Sequence, residues 1–96
     1  MAGAAGGAVR CRVIYGGRVQ GVCFRANAAE LAREHDVVGW VRNRTDGSVE
    51  LEAEGPRGEL DAFLAAVARQ FRGYIQDERR TELPVRGDEV RFAVRF

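Results

Sequence analysis

Ninety-six residues, 46% of them hydrophobic and 30% charged, are enough for one compact domain and too few for two. Fifteen basic residues nearly balance fourteen acidic ones, and the net charge of +1 argues against a general nucleic-acid binder without excluding a local basic site. Every basic residue is arginine. With no lysine, one histidine (His35) and two cysteines (Cys11, Cys23), the chain lacks the parts for a Schiff base, a Walker-A phosphate site, a Ser–Lys dyad or a four-ligand His/Cys zinc site.

The only serine, Ser48, sits beside a turn glycine with no nucleophile-elbow pattern. What is left is chemistry done by arginine, side-chain amides, carboxylates and backbone N–H groups. Residues 1–9 are rich in Ala and Gly, with neither a basic leader nor a long apolar run, and read as a disordered tail ahead of a single domain over residues 10–96. No stretch approaches the length of a membrane span. The expected location is therefore the cytoplasm, with both cysteines reduced. Cys11 and Cys23 sit at opposite ends of the first strand, roughly 20 Å apart at about 3.3 Å per residue, beyond disulfide reach.

Arg10–Gly16 is short, β-rich and closed by two glycines, which predicts a first strand. Phe24, Ala28, Leu31 and Ala32 repeat with helical spacing and predict a helix that stops near His35-Asp36. Val38–Asn43 is a second strand. Arg44-Thr45-Asp46-Gly47 supplies turn chemistry for a loop of about four residues. Val49, Leu51 and Ala53 then alternate with Glu50, Glu52 and Glu54, which predicts a strand with one buried and one wet face. Pro56 falls near the first position of a second helix, whose stripe is Leu60, Phe63, Leu64, Val67 and Phe71, fading at Gly73. The charged stretch Tyr74–Leu83 has little periodicity; a further strand is expected somewhere within Asp77–Val85. Val90, Phe92, Val94 and Phe96 alternate as a C-terminal strand. His35 reads as a helix-end surface residue and Trp40 as core. The order β-α-β-β-α-β is that of an α+β, ferredoxin-like (split β-α-β) sandwich: two helices on one face of a four- to five-stranded, mainly antiparallel sheet.

The segment Gly17-Arg18-Val19-Gln20-Gly21-Val22-Cys23-Phe24-Arg25 runs from a strand end into a helix start. Its glycines allow unusual backbone angles, the helix start leaves N–H groups free, and Arg25 can fork onto two oxygens of one anion. On these grounds it is either an anion cradle or a glycine-containing turn with a surface arginine. A crossover connection makes the first two strands parallel, so Asn43 and Arg25 meet at one edge of the domain. Asn43 is either a turn residue or a carboxamide that orients a water. Arg18 and Arg42 flank this edge and are expected to steer anions.

Gly17–Arg25, followed by Gly39-Trp40-Val41-Arg42-Asn43 and Asp46-Gly47-Ser48-Val49-Glu50, resembles the acylphosphatase family from about Val13 to Phe71. The resemblance implies that Arg25 binds the phosphate and Asn43 positions the hydrolytic water. It further implies that the backbone of Gln20, Gly21, Val22, Cys23 and Phe24 holds the phosphate oxygens. It also implies hydrolysis of a small-molecule acyl phosphate to carboxylate and inorganic phosphate. No cofactor, metal, nucleic acid or membrane is expected, and a monomer is. The chain departs from the family's usual pattern at Asp36, where glycine is common, at Ala26, where a bulky residue often follows the arginine, and across 72–85. A non-catalytic module binding acyl or carbamoyl phosphate is the alternative on the same fold. An RNA-recognition module shares the element order, but the sheet lacks its aromatic pattern and carries an acidic third strand instead.

Overall fold

A computed structural model describes residues 7–96, so residues 1–6 of the expected tail lie outside the described residues. The elements are β1 (Ala8–Gly17), α1 (Phe24–Ala32), β2 (Val38–Asn43), β3 (Val49–Pro56), α2 (Arg57–Gln70), β4 (Ile75–Leu83) and β5 (Phe92–Arg95). Ala8 and Val9 already belong to β1, pairing with Pro56 and Gly55, because β3 extends far enough to meet them. Pro56 ends β3 and caps α2 rather than standing inside its first turn. The β2–β3 connection is one residue longer than expected, running from Arg44 to Ser48.

The sheet has five strands in the order β4-β1-β3-β2-β5. The β1–β3, β1–β4 and β2–β3 pairs are antiparallel, and β2–β5 is parallel. This is the ferredoxin-like α+β arrangement expected from the element order. The expected strand within Asp77–Val85 is β4, starting two residues earlier. Its residues from Gln76 to Glu82 are exposed on both sides, so no apolar alternation marks them.

One sheet face carries Val13, Tyr15, Val41, Val49, Leu51 and Ala53 against Phe24, Ala28 and Ala32 of α1 and Leu60, Phe63, Leu64 and Val67 of α2. This is the core that the periodicities predict. Phe24 joins its two halves: its ring lies 5.0 Å from that of Tyr15 and stacks on Phe71 at 4.3 Å. The first turn of α1 is thereby pinned to the sheet by a buried aromatic cluster.

The other face corrects an expectation. Glu50, Glu52 and Glu54 were to face water, yet all three are buried. Arginines cover them. Arg42 reaches Glu50 at 2.7 Å, Arg12 reaches Glu50 and Glu52 at 3.3 and 3.2 Å, and Arg10 reaches Glu52 and Glu54 at 2.8 and 3.1 Å. The segment before β5 then closes over this ladder. Glu89 meets Arg10 at 2.8 Å, and Glu54 accepts the backbone N–H groups of Arg86 and Gly87 at 2.9 and 3.0 Å. Trp40 is buried on this face, under the Arg95 guanidinium at 4.6 Å, and not in the helix-side core.

Candidate active site

Because β2 pairs antiparallel with β3 and β3 with β1, β1 and β2 run in one direction, and β5 runs with them. Gly17, Asn43 and Arg95 therefore end at the same edge of the sheet. The chain leaves β1 through a register shift between Gly16 and Gly17. Gly17 has φ 120°, and a Cβ there would meet the Tyr74 carbonyl oxygen at 2.5 Å, so only glycine fits where β4 passes this closely.

The next residues form the start of α1. Gly21 has φ 78°, and Cys23, which caps α1, is left-handed at φ 61°, ψ 29°, the one non-glycine residue with positive φ among the described residues. That conformation costs a side-chain-bearing residue about 1–2 kcal/mol. Asn27 helps hold it, since its side-chain and backbone N–H groups both donate to the Cys23 carbonyl, at 2.9 and 3.0 Å. No side chain caps the helix and no acidic residue lies in its first turn. Among the described residues the backbone N–H groups of Gly21 to Arg25 meet no acceptor. An uncapped helix start with left-handed residues ahead of it presents converging donors to an anion.

Arg25 stands in that first turn. One of its terminal nitrogens donates to the Arg95 carbonyl at 3.1 Å, and its guanidinium lies 4.6 Å from the Phe96 ring centroid. It has no carboxylate partner among the described residues, so its remaining donors are available. Asn43 lies on the helix side of β2, one residue past Arg42, and its carboxamide makes no hydrogen bond among the described residues. The structure brings Arg25 and Asn43 together in one open cavity of about 460 Å³, with Gly21, Cys23 and Phe24 in its wall.

Of the backbone expected to hold the phosphate, Gly21, Cys23 and Phe24 line the cavity. Gln20 and Val22 do not line the cavity. Gln20 instead clamps its loop to the β2–β3 turn: its side-chain NH₂ donates to the carbonyls of Arg44 and Ser48, at 2.7 and 2.8 Å. The turn is itself fixed by Asp46, whose Oδ1 accepts from the Ser48 hydroxyl and N–H at 2.6 and 3.0 Å. Those bonds hold the Asp46 carboxyl below the usual range. This clamp joins the loop carrying the free N–H groups to the strand end carrying Asn43. A glutamine just ahead of Gly21 in the loop, with an amide able to serve two carbonyls, was the available signal for it.

Arg18 and Arg42, expected to flank the site, are not among the cavity's lining residues. Arg18 turns to the Tyr74 ring, and Arg42 lies on the opposite sheet face with Glu50 and Trp40. Sequence reasoning missed Val19, Val94 and Phe96, which line the cavity with Arg25. The strand expected from the alternation Val90–Phe96 is shorter, Phe92–Arg95, with Val90 and Phe96 exposed outside it, and the alternation does not reveal its place beside α1. Both cysteines are unpaired, Cys11 buried and Cys23 exposed.

The family model described as Acylphosphatase matches residues 11–94. An acylphosphatase of Natronomonas pharaonis is 50% identical over 56 residues, 58% of this chain and 61% of that protein. One of Salinibacter ruber is 59% identical over 51 residues, 53% of this chain and 54% of that protein. The matched segment thus spans little more than half the length of these curated relatives. The crystal structure of acylphosphatase from Bacillus subtilis superposes with a TM-score of 0.84 at 38% identity, covering 92% of this chain and 99% of that one. With a family match over residues 11–94 and a fold shared over 92% of its length, this chain belongs to the acylphosphatase family.

Proposed function

We propose that the protein hydrolyses acyl phosphates to a carboxylate and inorganic phosphate. The observation that carries this reading is the shared cavity of Arg25, Asn43 and the uncapped start of α1. The phosphoryl dianion takes the N–H groups of Gly21, Val22, Cys23 and Phe24 and a fork from Arg25. Gln20 acts through its side chain, holding the loop. Asn43, with a free donor and a free acceptor, holds a water behind phosphorus. The water oxygen bonds to phosphorus, the bond from phosphorus to the bridging oxygen breaks, and the carboxylate leaves with the electron pair. The attacking water's proton passes to a phosphate oxygen.

The chemistry suits the residues available. A carboxylic acid has a pKa of about 4, so the leaving group departs at neutral pH without a general acid. Phosphoryl transfer depends on positioning and charge stabilisation, which arginine and backbone donors supply with no cofactor or metal.

The same reading takes residues 10–96 as one domain working as a monomer in the cytoplasm. Unpaired cysteines suit a reducing compartment. The free edge of β4 carries Asp77, Glu78, Arg79, Arg80 and Glu82, a charge density that opposes strand pairing with a second copy.

Phosphate release from benzoyl phosphate, in excess EDTA, tests the proposal. Turnover by the wild type and its loss in Arg25→Ala are expected. Near-wild-type kcat/KM in Arg25→Ala sinks the mechanism, and abolition by EDTA sinks the metal-free part of it.

A further inference from the structure

Around the donors, the rest of the cavity is carbon. Val19, Ala26, Val94 and Phe96 line it together with Arg25 and Asn43, and no carboxylate and no second cation is among its lining residues. These apolar side chains have different origins that converge by construction. Val94 shares the helix-side face of β5 with Phe92, and Phe96, one residue past the end of β5 and fully exposed, lays its ring against the Arg25 guanidinium. Val19, fully buried, comes from the loop, and Ala26 is exposed one position beyond Arg25 on α1.

The two ends of the cavity therefore ask for different chemistry. A phosphoryl group held by the N–H groups and Arg25 leaves Ala26, Val94 and Phe96 as the apolar lining open to its acyl substituent. A polar or charged acyl group would give up water there and meet no partner. An apolar one would exchange water for carbon surface. Ala26 matters by being small: its methyl group leaves open the space between α1 and β5 that a larger side chain would fill.

On the reading of the site as an acyl phosphate hydrolase, we infer that this wall is an acyl subsite that selects acyl phosphates with bulky apolar substituents, such as aryl groups, over small or polar ones. Ala26 and Val94 are its specificity-determining residues.

Measuring kcat/KM for benzoyl phosphate and acetyl phosphate in the wild type, Ala26→Phe and Val94→Thr tests this. Comparing each variant's loss on the two substrates cancels their intrinsic reactivities. Ala26→Phe is expected to lose at least about tenfold more on benzoyl than on acetyl phosphate, by filling the space. Val94→Thr keeps the volume and adds a hydroxyl, and is expected to lose several-fold more on benzoyl phosphate, chiefly in KM. Equal losses on both substrates in both variants overturn the subsite while leaving the hydrolase reading intact. No phosphate release from either substrate by the wild type overturns both.

Discussion

Two arginines show how differently one side chain is used in the two halves of this molecule. Arg10, on the open sheet face, is 1% exposed and committed to Glu52, Glu54 and Glu89. Burial alone would lower its pKa, but the hydrogen bonds to the three carboxylates outweigh that and raise it. Arg25, at the cavity, leans on a carbonyl and an aromatic ring and keeps most of its donors free. A carboxylate partner orients a guanidinium but cancels the charge that a dianion would use. A carbonyl and a ring face orient it and leave the charge available. The first arginine is thus spent on structure, and the second keeps the donors that the proposed anion binding needs, a difference invisible in composition.

The comparison can be broken most forcefully at Arg10. Arg10→Ala leaves buried carboxylates without their cation and is expected to cost about 3–5 kcal/mol of stability. Urea unfolding measures it, and activity per folded molecule should stay near wild type. A stability loss below about 1 kcal/mol would mean that the open face is not held together by this ion cluster.

Arg25→Ala should do the reverse. Losing one group that stabilises developing charge costs about 10²–10³-fold in rate, while the unfolding midpoint should hardly move, since Arg25 has no buried charge partner. Asn43→Ala is expected to lower kcat by about 10²-fold while phosphate inhibition changes less than threefold, because water positioning and anion binding are separate tasks. A matching loss of phosphate affinity would reassign Asn43 to the anion.

The smallest effect sharpens the ionic face further. Burial pulls the Glu54 pKa up, but the Arg86 N–H, the Arg10 guanidinium and the Gly87 N–H together hold it below the ordinary value of 4.5. A carboxyl depressed on folding adds stability that is fully present above that ordinary value and is lost as pH falls through the folded value. Glu54→Gln should therefore destabilise at pH 6 and differ less from wild type at pH 3, by about 1 kcal/mol or less between the two conditions. A penalty that grows on acidification would contradict the lowered pKa.

Much of the helix-side architecture was legible because each signal is local. Phe24, Ala28 and Ala32 mark one helix face, and Val49, Leu51 and Ala53 mark one strand face, without knowledge of any partner. The meeting of the candidate site's two segments was legible for the same reason: the glycines, Arg25 and Asn43 lie in short stretches that strand direction brings to one edge. The burial of Glu50, Glu52 and Glu54 was not legible. Alternation tells which residues share a face, not what covers it, and here the cover comes from Arg10, Arg12, Arg42 and the chain around Arg86–Glu89. The Gln20 clamp escaped for a related reason, since its acceptors are carbonyls in a turn that sequence places only roughly. β4 could not be located to the residue because an exposed edge strand has no buried face to write into its pattern.

Strand β1 lies between β3 and β4, so its partners are distant along the chain: Tyr15 faces Val49, and Arg10 faces Leu83. Each pairing closes a long loop before any contact repays the lost entropy. Folding should therefore run in the slower range of mixed α/β domains, limited by topology rather than by helix formation. Until both neighbours arrive, a strand carrying Val13, Ile14 and Tyr15 stands with two unpaired edges, and self-association during refolding should begin there, where the finished protein has no edge at all.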